Sequence, residues 1–213
     1  MPGDTLVALA RLRLMGALMN PEHSWPIPPE GGWTADDLDT LPNLPPHTEL
    51  IDGSLIFVSP QTLFHMRAVS FFQRQLEETV PPGLEVLREF TIDIDRRNRP
   101  EPDVIVFRED VLTDLEQTRF AAEAVLLAIE VVSPESVDRD RETKPLKYAR
   151  AGILHYWRVE NKDGRAVVYV YELDPATKAY VATGIFHDRL KVSAPFPIDL
   201  DLTAITAKRT RPE

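Results

Sequence analysis

Between Ala124 and Val132 the chain reads Ala-Val-Leu-Leu-Ala-Ile-Glu-Val-Val, nine residues of which eight are apolar, and Ser133-Pro134 closes the run. A continuous apolar stretch of this length, bounded by a turn signal, reads as a strand buried on both faces. The chain must therefore build a sheet with packed layers around it. The run also carries one ionisable side chain, Glu130, into that interior. An ionised carboxylate there is costly unless a cation or strong donors meet it. From the residues alone two readings of Glu130 stay open: the buried partner of an arginine, or a ligand for a metal ion.

The segments around this strand have their own local signals. Glu49-Leu50-Ile51 and Leu55-Ile56-Phe57-Val58 flank Asp52-Gly53, a hairpin signature. Leu63, Met66, Val69, Phe72, Leu76 and Val80 recur at steps of three and four, which predicts an amphipathic helix over 62–80 ended by Pro81-Pro82-Gly83. The alternation from Leu84 to Ile94 predicts one half-exposed strand with Leu84, Val86, Phe90, Ile92 and Ile94 on a common face, and Asp103–Phe107 is the next strand. Thr34, followed by Asp36 and Asp37, predicts the start of a short helix. A second short helix is expected over Thr143–Ala151, ended by Gly152. Ile153–Glu160, Ala166–Leu173 and Ala179–Phe186 predict three further strands joined by polar turns.

The fold class that follows is α/β or α+β, a mixed sheet with one principal helix, a second after the central strand, and β-hairpins added on the C-terminal side. One domain is expected over 25–205, with an N-terminal arm over 1–24 and a tail over 206–213. Leu6–Met19 is apolar, but Arg11 and Arg13 interrupt it, so it reads as part of that arm and not as a signal peptide; Met15 and Met19 are alternative starts.

Composition removes several function classes. The chain has no cysteine, which excludes disulfides, zinc–thiolate sites and cysteine nucleophiles and makes the cytosol the expected compartment. No stretch reaches the roughly 20 apolar residues of a membrane helix, so no membrane partner is expected. The net charge is −10, and residues 20–52 hold seven acids with no Lys or Arg. An acidic chain is a poor non-specific coat for nucleic acid, though a nuclease whose acids hold a metal remains compatible with that balance. Gly-x-Ser-x-Gly, phosphate-loop and His-Glu-x-x-His motifs are absent, and the five histidines show no ligand spacing.

Asp103 follows the stiff Pro100-Glu101-Pro102. Alone it caps a strand start. Neighbouring strands lie ~4.8 Å apart, however, so carboxylates on two of them can grip one hard cation such as Mg²⁺. Asp103 and Glu130 are therefore a candidate pair.

Glu49-Leu50-Ile51-Asp52-Gly53, Pro102-Asp103-Val104, Glu130-Val131-Val132-Ser133-Pro134, and then Lys144, Tyr148, Gly152 and Tyr156-Trp157 resemble, in this order, the Uma2-type (DUF820) family of restriction endonucleases, within the PD-(D/E)XK nuclease superfamily. The resemblance implies a restriction-endonuclease-like core of mixed sheet and flanking helices. It implies Asp103 and Glu130 as catalytic metal ligands, Glu49 completing the metal site, and Mg²⁺ as cofactor with Mn²⁺ as a substitute. The superfamily's lysine would stand at Val132; in this chain the matching residue is Lys144, on the following helix, where it would orient the attacking water or stabilise charge on the phosphate. Lys147 competes for that role. Pro145 disfavours an α conformation at Lys144 and puts it at the helix start. His65, at the start of the main helix, is a candidate neighbour of the substrate. Tyr148, Tyr156 and Trp157 read as framework, and Arg96, Arg97 and Arg99 as exposed turn arginines or phosphate contacts.

The expected function is a divalent-metal-dependent phosphodiesterase, an endonuclease hydrolysing nucleic acid and DNA in particular. The alternative is a catalytically silent protein of the same fold that binds a metal or a partner. A chain of 24.1 kDa with one site needs a second copy to cut both strands at once, so a homodimer is expected.

Overall fold

The computed structural model describes residues 27–207; the expected arm over 1–24 and the tail from 208 onward lie outside the described residues. The chain divides into two units. Residues 27–32 belong to the first, where Gly32 N–H closes a turn on the Pro29 carbonyl at 2.9 Å. The second, from Trp33 on, contains every helix and strand described below.

Its elements are α1 (Ala35–Thr40), β1 (Glu49–Ile51), β2 (Ser54–Ile56), α2 (Leu63–Glu77), β3 (Leu84–Arg88), β4 (Thr91–Asp93), β5 (Val104–Arg108), β6 (Arg119–Ala121), β7 (Val125–Val131), α3 (Lys144–Ala151), β8 (His155–Lys162), β9 (Arg165–Asp174), β10 (Ala179–Phe186), β11 (Arg189–Val192) and β12 (Ile198–Asp201). Six strands form the main sheet in the order β10-β9-β8-β7-β5-β3. Within this sheet only β7 and β8 run parallel, and α3 lies in the connection between them. The fold is thus the expected mixed α/β sheet, with β9–β10 and β11–β12 as C-terminal hairpins.

β7 is buried along its length apart from Leu126, which is half-buried. Successive side chains point to opposite faces. Leu127, Ile129 and Val131 enter the cluster formed with Val69, Phe72 and Leu76 of α2, whereas Ala128 enters the cluster containing Tyr148 and Tyr156. Glu130 alternates with the first set and so faces the α3 side.

Three expectations are corrected. The stretch Leu84–Ile94 is two strands, because Glu89 adopts a left-handed conformation at φ 50°. That turn reverses the facing: Val86 packs on the α2 side, but Phe90, Ile92 and Ile94 pack in the opposite cluster. On α2 the buried stripe is rotated from the expected one. Leu63 and Met66 are 70% and 44% exposed, while His65, Ala68 and Phe71 are buried. Finally, Lys144 is α-helical at φ −61° and ψ −46° in spite of Pro145. The proline sits in the first turn of α3, where its missing N–H breaks no intrahelical bond, and a π turn over Arg139–Thr143 carries the helical path into Lys144.

Asp52 and Gly53 form the expected two-residue hairpin turn, both at positive φ (50° and 77°). Thr34 starts α1, with Asp37 accepting from its N–H at 2.8 Å and its hydroxyl at 2.7 Å. No helix among the described residues is long and apolar enough to cross a membrane.

Candidate active site

Backbone pairing brings the acids together. Leu50 and Arg99 exchange backbone hydrogen bonds of 3.0 and 2.8 Å, which clamps β1 against the segment leading to Pro102. The clamp buries Glu49, whose Oε1 accepts from Glu101 N–H at 2.8 Å. Asp103 precedes β5, and the register Val104↔Ile129 sets it beside the end of β7. Its Oδ2 accepts from Val131 N–H at 2.6 Å, and its Oδ1 lies 3.1 Å from His65 Nε2. Glu49 is therefore buried, not an exposed strand acid, and Asp103 caps the neighbouring strand.

Glu130, 2% exposed, meets donors from α3. Tyr148 donates its hydroxyl to Oε1 at 2.5 Å, and Lys144 Nζ lies 3.0 Å from each carboxylate oxygen. The same ammonium is 2.9 Å from Glu49 Oε1 and 3.8 Å from Asp140 Oδ1. Asp140 accepts a hydrogen bond from Ser136 Oγ, while its Oδ1 is buried without a hydrogen-bond partner. Asp140, Lys144 and Tyr148 succeed one another at helical spacing, so one face of the π turn and α3 presents all three.

Three buried carboxylates, Glu49, Glu130 and Asp140, thus surround one ammonium, with the half-buried Asp103 beside them. Burial raises the Glu130 carboxyl well above its usual value against the pull of Lys144, and Asp140, Asp103 and Glu49 add to the rise. Burial likewise lifts Asp140 to about 6, against the pull of Lys144 and the Ser136 hydroxyl. Desolvation works against the Lys144 charge, but Glu130, Glu49, Asp140 and Asp103 together hold it well above the usual lysine value. The ammonium stays charged and the surplus carboxylate carries the strain. Burial also opposes the charge of His65, yet the bond to Asp103 raises it overall.

These groups line a cleft of about 440 Å³ between the β1–β2 hairpin, the start of α2 and the π turn. Among the described residues no three acid or imidazole side chains form a ready-made metal cage. Lys144 Nζ occupies the position between Glu49 and Glu130 that a shared cation would take. The donor chemistry nonetheless fits a hard divalent ion: oxygen ligands, surplus negative charge and one orphaned acceptor on Asp140.

The candidates sort clearly by position. Glu49, Asp103, Glu130, Lys144 and His65 converge on the cleft. Lys147 does not: its Nζ pairs with Asp52 at 2.5 Å on the hairpin turn. Arg99 is buried and paired with Asp93 and Asp39 at 2.5 and 2.8 Å, so it is no exposed turn arginine. Tyr148, Tyr156 and Trp157 are fully buried framework, as expected, though the Tyr148 hydroxyl also serves the site. Asp140 is the residue that sequence reasoning passed over. Its four-residue spacing from Lys144 was the available signal, masked by the run Asp138-Arg139-Asp140-Arg141-Glu142, which has the composition of a solvated face.

The fold is of the restriction-endonuclease type. A structure described as a "putative nuclease belonging to DUF820", from Anabaena variabilis ATCC 29413, superposes with a TM-score of 0.65 at 20% identity, over 81% of this chain and 97% of that one. Residues 35–205 match the Uma2 family model, described as "Putative restriction endonuclease", and the chain belongs to that family. NucC from P. aeruginosa ATCC27853 aligns at 14% identity and a TM-score of 0.35, over 55% of this chain and 70% of that one. NucC from E. coli MS115-1 aligns at 17% and 0.31, over 53% and 52%. No curated protein sequence matches the chain.

Proposed function

We propose that this chain is an endonuclease hydrolysing phosphodiester bonds of nucleic acid, DNA in particular, with Mg²⁺ as cofactor and Mn²⁺ as a substitute. The observation that carries the reading is the surplus of three buried carboxylates, Glu49, Glu130 and Asp140, over one ammonium at the base of an open cleft, with Asp103 beside them. A purely structural cluster would be expected to balance its charges, because unpaired buried charge is destabilising. Asp103, Glu130 and Glu49 would hold the cation, which when bound supplies a water of lowered pKa and neutralises charge on the phosphate.

The chain's own groups do the positioning. The Val131 N–H and His65 orient Asp103, and Tyr148 with Lys144 orients Glu130. The Lys144 ammonium, within 3.0 Å of Glu49 and Glu130, is in donor reach of a water held by the same carboxylates. That placement supports Lys144 over Lys147 as the lysine of the site.

One observation favours the rival reading of a silent metal- or partner-binding protein: Lys144 already sits between the ligands. Nicking of supercoiled plasmid decides between the two. Nicking that requires Mg²⁺ or Mn²⁺ and vanishes in Glu130→Gln supports the endonuclease; no nicking by the wild type refutes it. The chain acts as a homodimer in the cytoplasm. β10 forms a sheet edge with Val181 and Ile185 exposed, and a second copy would pair there. Sedimentation as a monomer at micromolar concentration would overturn the dimer.

A further inference from the structure

Seven buried side-chain polar atoms lack a hydrogen-bond partner among the described residues, and four of them belong to the lining of the acidic cleft: Gln61 Oε1, His65 Nδ1, Arg139 Nε and Asp140 Oδ1. Buried polar groups are nearly always paired, so a concentration of exceptions in one place points to a ligand that completes them. Arg139 differs from the rest because it is a cation. Seven carboxylates line the cleft, against Arg139 and Lys144 as the Lys and Arg residues. Lys144 is held by Glu49 and Glu130, and the two histidines of the lining, His47 and His65, are held by Glu101 and Asp103. Arg139 has no carboxylate partner among the described residues.

Resting on the nuclease reading, we propose that Arg139 is the phosphate anchor of the cleft, the side chain that takes a non-bridging oxygen of the phosphodiester. A guanidinium presents five N–H donors in a planar fork suited to phosphate. Its position follows from the chain: Arg139 opens the π turn whose next residue is Asp140 and which leads into Lys144, so the anion contact and the carboxylate cluster are carried on one rigid segment. π turns occur frequently at functional sites. An acidic cleft repels a polyanion, and the one cation left unspent by the acids is the group able to draw the phosphate in.

The test uses fluorescence anisotropy of a labelled DNA duplex with Ca²⁺ replacing Mg²⁺, titrated at several salt concentrations, on wild type, Arg139→Ala and Arg139→Gln. Either variant should weaken binding about tenfold or more and reduce the slope of log K against log salt by about one. Both should melt with the wild type, since no ion pair is lost. Should Arg139→Ala fail to fold, Arg139→Gln carries the comparison. Binding and salt slope equal to wild type would overturn the anchor and leave the nuclease reading standing, and so would an Arg139→Gln melting far below wild type, which would make the side chain structural. A wild type that neither binds the duplex nor nicks plasmid would overturn both.

Discussion

Asp140→Asn tests the charge surplus beneath the cleft directly. Asp140 is 1% exposed, and burial lifts its carboxyl from the ordinary 3.8 to about 6 although Lys144 and the Ser136 hydroxyl pull the other way. A rise of roughly two units corresponds to about 3 kcal/mol of differential proton binding. The native state holds the proton more tightly than the unfolded chain, so this stabilisation is whole below the unfolded value of 3.8 and disappears as pH climbs through about 6. Asparagine has no such titration. It retains an oxygen to accept from Ser136, at a loss of about 1 kcal/mol for a neutral bond in place of a charged one. Lys144 keeps Glu130 and Glu49. Between about pH 4.5 and pH 8 the variant should therefore gain on the wild type by about 2 kcal/mol, from slightly less stable to more stable. Urea unfolding in EDTA across that range, with a common m-value, measures it. A difference that does not change with pH, or one that moves against the variant as pH rises, would refute the surplus-charge account.

Glu130→Gln should leave the metal-free protein as stable as wild type or more so, since Lys144 retains Glu49 and Asp140, while nicking is lost; a drop of about 3 kcal/mol would mark a structural ion pair instead. Lys144→Met should cost about 3–5 kcal/mol in urea unfolding, because it strips the one ammonium from buried carboxylates. Lys147→Ala, whose partner Asp52 is exposed, should cost under about 1 kcal/mol, and the reverse order would move the site's lysine. Millimolar Mn²⁺ or Mg²⁺ should raise the Tm of the wild type, as a ligand of the native state must, and Asp103→Asn should erase most of the rise. Equal shifts in both proteins would dispose of Asp103 as a ligand.

Much of this architecture was legible in the residues because its causes are local. Eight apolar residues around Glu130 leave no solvated face for β7, Asp52-Gly53 can adopt two positive φ angles in succession, and Gly152 can end α3 in the left-handed region at φ 86°. The pairing of Asp103 with the end of β7 was also within reach, since both acids stand at strand ends and strands in a sheet have a fixed spacing.

What the tertiary structure alone decided is where charge is buried and what neutralises it. Asp140 sits in a polar run and Lys147 on a short helix, yet one lies beneath the cleft and the other reaches the hairpin turn at Asp52. The left-handed Glu89 turns Phe90 and Ile92 to the opposite face from Val86, which an alternating pattern cannot express. Glu49, Glu130 and Lys144 come from three different elements, and only their packing sets one ammonium among three buried carboxylates. Local propensity acts over a few residues, whereas desolvation and Coulomb energy depend on every group brought within several ångströms, wherever in the chain it arises.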